Sequence, residues 1–516
     1  MSITLSGDSL SKVDRASAVY QDLLAIAPRL AAKDSTLWGA AAEEEAAIRL
    51  NWIDLPKSSQ ALLPQLAELT EWASSNNLTN IVLAGMGGSS LAPEVFSKTF
   101  NKKLTVLDST DPAQIAAGIP ADFSNTIIVV GSKSGSTIET ASQRALFTQL
   151  MLDAGLKPAD HLVVITDPGS PLDHDARSAG LRVINADPNV GGRYSALSAF
   201  GLVPAALMGI DVAAVLDAAF TASQSFTQEG SAALDLAYLL FTQTEQNVAF
   251  SDSGSQVPGL SDWIEQLIAE STGKDQKGRL PIVIESPAAP VAGPAFTVGF
   301  AGLHGNLIVE ASLGEQFILW EWVTALLSRA LKLDPFNQPN VTEAKERTNA
   351  LLAEWSDGVV HAPTPSWSNE NLEVFGSIVG NSLTEILATF IAQPAHYIAT
   401  MAYLHRGADD AIAEIRPLTA VKSGKGTTFG WGPRFLHSTG QFHKGGQHNG
   451  LFIQITGESG SDIAIPGKNF GFHTLLMAQA LGDGQALTSR NFPTLRMHLK
   501  NRSAGIAEIL GALRSI

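Results

Sequence analysis

Residues 127–140 read Ile-Ile-Val-Val-Gly-Ser-Lys-Ser-Gly-Ser-Thr-Ile-Glu-Thr, an apolar strand running into a hydroxyl-rich loop and then into a helix. Those residue types can hold an anion without a cofactor. Ser132, Ser134, Ser136 and Thr137 place hydroxyls at the turn, Gly131 and Gly135 let the backbone come close, and the helix aims free amides at a phosphate. Taken alone, the loop also reads as a Ser-rich helix cap. Three further stretches carry chemistry. Asn189-Val190-Gly191-Gly192-Arg193-Tyr194-Ser195 sets a permanent planar cation beside glycines. Between Trp263 and Lys274, Gln266 and Glu270 lie one helical turn apart and share a face. Phe336-Asn337-Gln338-Pro339 then leads into a helix that carries Lys345 two turns along. Singly, these have ordinary readings: a turn with a surface arginine, a solvated helix face, a solvated lysine.

The elements that must position these residues follow from the hydrophobic pattern. From Asn80 onward, short apolar runs ending in Gly or Asp alternate with helical stretches, at 81–84, 104–107, 127–130, 162–165 and 181–184. That alternation predicts an α/β fold with a parallel, doubly wound sheet, whose ligands sit beyond the carboxyl ends of the strands. Residues 85–90 and 131–137 both fall there, so two loops converge on one crevice. The chain divides into a helical N-terminal cover over 1–75, a first domain with the phosphate loop over 76–225, and a second, similar domain over 226–350. The second domain has strands expected at 281–284 and 306–309 and a long helix over 316–331. Residues 351–516 form a C-terminal α/β segment with strands expected at 450–456 and 495–500. No repeat or low-complexity tract interrupts this order.

Composition narrows the function classes. A 516-residue chain with 45% hydrophobic and 16% charged residues is ordinary for a globular protein of two or three domains. A net charge of −16 opposes nonspecific attraction to nucleic acid or anionic lipid, so an anionic substrate needs a local basic site. With no cysteine, disulfides, thiolate metal sites and cysteine nucleophiles are excluded. The N-terminal residues lack the basic region and apolar core of a signal peptide. The apolar stretch 202–220 holds Pro204, Asp211 and Asp217 and reads as buried helix rather than a membrane span, which makes the cytoplasm the expected compartment. Gly85-Met86-Gly87-Gly88-Ser89-Ser90 is half a dinucleotide fingerprint with Asp108 ending the next strand, but Ser90 replaces the third glycine. Ser423-Gly424-Lys425-Gly426 lacks the leading glycine of a Walker A loop. No acidic or histidine cluster has ligand spacing, so neither cofactor nor metal is expected.

In combination and order, Gly87-Gly88-Ser89, Ser132-Lys133-Ser134-x-x-Thr137, Glu139, Gly191-Gly192-Arg193-Tyr194-Ser195, Gln266 with Glu270, and Phe336-Asn337-Gln338 with Lys345 resemble the glucose-6-phosphate isomerase (phosphoglucose isomerase) family. That family is built from two sugar-isomerase (SIS) domains, and the resemblance spans roughly residues 80–345. Farther on, residues 432–446 resemble the isomerase half of bacterial transaldolase/glucose-6-phosphate isomerase fusions.

The resemblance implies reversible isomerisation of glucose 6-phosphate and fructose 6-phosphate, by ring opening and an enediolate, in glycolysis and gluconeogenesis. Glu270 would carry the proton between C2 and C1, and Arg193 would stabilise the enediolate charge. Gly88, Ser89, Gln266 and Gln338 would contact the sugar, while Ser132, the backbone amide of Lys133, Ser134 and Thr137 would hold the phosphate. Ring opening in the family uses a lysine, matched by Lys345, and a histidine, which in most members follows Gly-Gln and comes from the neighbouring subunit. Here the first candidate is His443, in Gly440-Gln441-Phe442-His443, with His437 second and His304 also open. Asn340-Val341-Thr342-Glu343-Ala344-Lys345 replaces the glycine and first acid of the family's Gly-Val-Glu-x-x-Lys but keeps the lysine. The implied partner is a small sugar phosphate, not nucleic acid or membrane, and the implied assembly is a homodimer. A noncatalytic SIS-type sugar-phosphate regulator, which needs the phosphate loop but no base, is the alternative, and use of mannose 6-phosphate stays open. Because Arg193 and hydrogen bonds can meet the enediolate charge, turnover is expected to persist in EDTA. Complete loss of activity in the chelator would overturn that account.

Overall fold

Strands that are apolar at every position, rather than at alternate ones, require cover on both faces. Residues 81–84, 127–130 and 162–165 are such runs, and all twelve side chains are buried. The computed structural model describes residues 3–286, 288–300, 305–355, 358, 360–361 and 363–516.

After β1 (Thr4–Ser6), five parallel strands form the first sheet: β2 (Asn80–Gly85), β3 (Thr105–Leu107), β4 (Thr126–Gly131), β5 (Leu162–Thr166) and β6 (Arg182–Asn185). Their order, β3-β2-β4-β5-β6, makes the β2/β4 boundary the switch point, and residues 85–90 and 131–137 lie at the carboxyl ends of these two strands. The second sheet contains β7 (Asn247–Ser251), β8 (Leu280–Val283), β9 (Ala295–Phe300) and β10 (Leu307–Glu310), all parallel, with β1 added antiparallel to β10. The segment expected as a helical cover therefore also supplies an edge strand to a sheet some 300 residues away, a pairing with no local sequence signal. The same segment props the Arg193 loop. Leu50 bridges Val190, the Asn51 amide donates to Asn189 O at 3.3 Å, and Trp52 stacks on Tyr194 with ring centroids 5.1 Å apart.

The C-terminal segment holds a third sheet: β11 (Trp367–Ser368), β12 (Leu372–Phe375), β13 (Tyr397–Ala402), β14 (Gly426–Trp431), β15 (Gly450–Gly457) and β16 (Thr494–Leu499), in the order β11-β12-β16-β15-β13-β14. Strands β13 to β16 are parallel, and β11 and β12 run antiparallel at the edge. Only the last part of this sheet follows from the sequence pattern. Apolar side chains from β7, β8 and the helix Leu260–Thr272 share one core with Tyr397, Met401, Phe442 and Phe452 of the C-terminal unit. The helix Phe472–Thr488 packs along the helix Pro339–Glu354. Among the described residues, no helix is long and apolar enough to cross a membrane.

Buried ion pairs complete the docking of the C-terminal unit on the first sheet. Arg434 Nη1 lies 2.5 Å from both Glu94 Oε2 and Asp108 Oδ2, Arg406 Nη1 lies 2.9 Å from Glu94 Oε1, and Arg502 Nη2 lies 2.6 Å from Asp111 Oδ2. Burial disfavours the Glu94 carboxylate, but Arg434, Arg406 and Lys98 outweigh it and hold the group well below the usual range. Asp108, the acid placed where a ribose-binding residue would lie, is thus occupied by an internal arginine. Arg434→Met leaves two buried acids without that partner. It should cost about 3–5 kcal/mol, read as a lower urea midpoint, and an unchanged midpoint would show that docking does not depend on this arginine.

Candidate active site

The phosphate-loop residues stand where β4 hands over to the helix Ile138–Asp153. Ser132 is buried and its Oγ accepts from Gly135 N at 3.1 Å, while the exposed Ser134 and Ser136 hydroxyls lie 2.6 Å apart. Gly135 needs its φ of +79° here, and a Cβ at that position would come 2.5 Å from the Leu172 side chain. Thr137 holds the N-cap position without a side-chain capping bond, so its hydroxyl is not spent on the helix start. The Lys133 ammonium turns toward Asp167 at 2.9 Å rather than into the loop. Ser89 packs between the ends of β2 and β4. A Cβ on Gly85 or Gly131 would lie 3.1 or 3.2 Å from the Ser89 side chain.

Arg193 and Glu270 meet in the interior. Arg193 Nε lies 3.2 Å from Glu270 Oε2, with the two side chains only 4% and 6% exposed. Gln266 Nε2 donates to the same Glu270 oxygen at 3.2 Å, which uses the shared face that the spacing predicts. The Gln266 Oε1 atom is buried and has no protein donor. The rest of the Arg193 guanidinium straps down the following loop. It donates to the carbonyls of Pro335 at 3.1 Å, Phe336 at 3.1 Å and Asn337 at 3.3 Å, and to Gln338 Oε1 at 2.6 Å. Gly88 lies so close to Gly192 that an added Cβ would sit 1.9 Å from the Gly192 carbonyl oxygen. Behind the pair, buried Lys274 donates to Asp334 O, and burial next to Arg193 pushes its ammonium well below the ordinary lysine range.

A cavity opens beside the phosphate loop, lined among others by Thr137, Glu139, Lys345, His437, Lys444 and Gln479. His437 Nε2 is 3.0 Å from Glu139 Oε1, and Gln479 Nε2 donates to that oxygen at 2.8 Å. Burial alone would raise the Glu139 carboxyl, yet the charge and hydrogen bond of His437, with help from Lys345, hold it below its ordinary value. Gly87 joins this cavity to the ion pair. A Cβ there would lie 2.8 Å from Gln266 Nε2 and 3.1 Å from His437 Cβ. The structure thus brings together the phosphate loop, Gly88 and Ser89, Arg193, Gln266, Glu270, Gln338 and Lys345.

His443, the first choice among the histidines, does not join them. Its ring is 2% exposed, stacks on Tyr397 with centroids 5.8 Å apart, and contacts Phe435 and Phe452 edgewise or tilted. Burial and the neighbouring Lys444 push it down to about 3, so it is a neutral core side chain. His437, six residues earlier, is the histidine that faces the cavity. His304 lies outside the described residues. Among the described residues, no group of three or more His, Asp or Glu side chains is arranged to hold a metal ion.

Residues 65–282 match the sequence model of the phosphoglucose isomerase family. The match covers less than half of the chain. The match takes in the phosphate loop, Arg193, Gln266 and Glu270, and ends before Lys345 and His437. A glucose-6-phosphate isomerase of Thermus thermophilus is 34% identical over 257 residues, which is 48% of this chain and 60% of the relative. The chain therefore spans less than two thirds of that relative. A hypothetical protein, also of Thermus thermophilus, superposes at a TM-score of 0.57 with 26% identity, covering 68% of this chain and all of that one. A glucose-6-phosphate isomerase of Chlamydia trachomatis, at 20% identity and a TM-score of 0.54 over 69% of this chain and 89% of that one, shares the fold.

Sequence reasoning assigned no part to Lys444, Gln479 or Glu265. The first two line the cavity from the C-terminal unit, and only tertiary packing reveals them. Glu265 precedes Gln266 and accepts from the Ser438 hydroxyl at 3.2 Å, so it touches the residue after His437. Burial, then the charge of Asp262, pushes it up to about 8. Its folded value exceeds the unfolded one of about 4.3, so neutral Glu265 stabilises fully below that pH and the contribution is lost as pH rises toward 8. Glu265→Gln should flatten the fall in urea midpoint between about pH 5 and about pH 9, and an identical slope in the variant would refute the assignment.

Proposed function

We propose that this protein interconverts glucose 6-phosphate and fructose 6-phosphate. The observation that carries the reading is a buried carboxylate, Glu270, held between the Arg193 guanidinium and the Gln266 amide. In this reading the phosphate rests on Ser132, Ser134, Thr137 and the backbone at Lys133, remote from the reacting carbons, and anchors the sugar without taking part in the chemistry. Gly88, Ser89, Gln266 and Gln338 orient the hydroxyls, and the free Gln266 Oε1 is a ready acceptor for one of them.

His437 and Lys345 open the ring, with Glu139 fixing the imidazole through its Nε2 hydrogen bond. Glu270 then removes the C2 proton and delivers it to C1. Arg193 offsets the charge on the enediolate oxygens between the two steps, where a fixed cation in a water-poor site is most effective. The homodimer implied by the resemblance and the cytoplasmic location expected from the sequence belong to this proposal.

Glu270→Gln keeps the shape and the Gln266 contact but removes the base. It should lower kcat by about 10²–10⁴-fold in a coupled assay from either sugar phosphate. His437→Asn should slow turnover of cyclic substrate, whereas His443→Asn should leave the shape of the pH profile alone. The reverse ranking of the two histidine variants would reject His437 as the ring-opening group.

A further inference from the structure

The short helix Gly440–Gly445 carries a second function in the motif that drew attention to His443. Its Gln441 is fully buried and makes three hydrogen bonds, all to residues outside the C-terminal unit. Gln441 Oε1 accepts from the backbone amide of Asn340 at 3.0 Å, and Nε2 donates to Asn340 Oδ1 at 2.8 Å and to the carbonyl of Gly273 at 2.9 Å. Gly273 is the C-cap of the helix that carries Glu270, and Asn340 stands in the first turn of the helix that carries Lys345. One amide group therefore joins the end of one functional helix to the start of the other.

The joint is packed without slack. A Cβ on Gly445 would lie 2.5 Å from Asn340 Oδ1 and 2.6 Å from the Gly273 carbonyl oxygen, and a Cβ on Gly273 would lie 2.4 Å from Phe442 Cα. The Gly445 carbonyl accepts from Gln276 N at 3.0 Å, closing the far side. Lys444 fixes the wedge from behind through Asp483 at 2.6 Å, with both side chains 1% exposed. Asp483 belongs to the helix Phe472–Thr488 that packs along the Lys345 helix.

We infer that Gln441 is a positioning residue that sets the spacing between the proton-transfer group Glu270 and the ring-opening group Lys345, so that the C-terminal unit is part of the catalytic machine. The inference rests on the proposed isomerase reading. Its physical content is that the apolar side chains of the two helices pack into different core clusters, and a displacement of about 1 Å between reacting groups can cost about 10²-fold in rate.

Gln441→Met preserves volume and removes all three hydrogen bonds. Expected is a fall in kcat of about 10- to 10²-fold in both directions, with KM and the calorimetric affinity for glucitol 6-phosphate, an analogue that cannot react, unchanged. Deuterium exchange at the Asn340 amide should accelerate in the variant whether or not activity is present. Gln441→Glu can make both kinds of bond when protonated, so its activity relative to wild type at the same pH should recover toward acidic pH. A folded Gln441→Met with wild-type kcat would overturn the inference, as would parallel losses of kcat, analogue affinity and thermal midpoint. A wild-type chain that binds glucitol 6-phosphate without turning over either substrate would instead defeat the isomerase reading, and the positioning role with it.

Discussion

The site depends on burying one guanidinium. Taking Arg193 out of water costs several kcal/mol, and the cost is offset only if its charge and its donors are met in place. Glu270 meets the charge, and three consecutive backbone carbonyls with Gln338 meet the donors. That requirement has consequences well beyond the ion pair. It fixes the loop 335–338 against the Glu270 helix, and so fixes where the Lys345 helix begins. It demands close approach of the Gly88 and Gly192 backbones, and it draws the N-terminal segment into service, since Trp52 and Asn51 brace the loop that presents the arginine.

A second constraint acts from the opposite side. The C-terminal unit places Arg434, His437, Ser438, Gln441 and Lys444 on one short stretch following β14. Each engages a different element: Glu94 and Asp108 at the first sheet, Glu139 at the phosphate-loop helix, Glu265 on the Glu270 helix, Gly273 and Asn340 at the two helix ends, and Asp483 on the flanking helix. Docking and site assembly are therefore the same event. The buried pairs that attach this unit are strong only while complete, because a single missing partner leaves a desolvated charge. Such an arrangement favours one relative placement of the units over many nearby ones.

Under the proposed isomerase reading, the chemistry asked of the site is spread accordingly. Anchoring falls to hydroxyls and amides at strand ends, where the doubly wound topology leaves a crevice. Proton transfer would fall to a carboxylate in the interior, and ring opening to the cavity that the C-terminal unit walls. In that reading the separation would let one region stay dry while the neighbouring one admits a phosphorylated sugar.

What the sequence determined by itself is the part whose physics is local. The strand-loop-helix of residues 127–140, the glycines before Arg193, and Gln266 with Glu270 at helical spacing were legible because each depends on neighbours within one turn or loop. The α/β class was legible for the same reason. Tertiary structure decided the rest. His437 and His443 sit six residues apart, and the local Gly-Gln context favours His443. Only packing shows that Tyr397 and Phe452 enclose one, while Glu139, 298 residues away in sequence, receives the other. The pairing of β1 with β10, the full extent of the third sheet and the Gln441 joint likewise arise from contacts between distant segments. Their energies belong to neither partner's sequence until the fold brings both together.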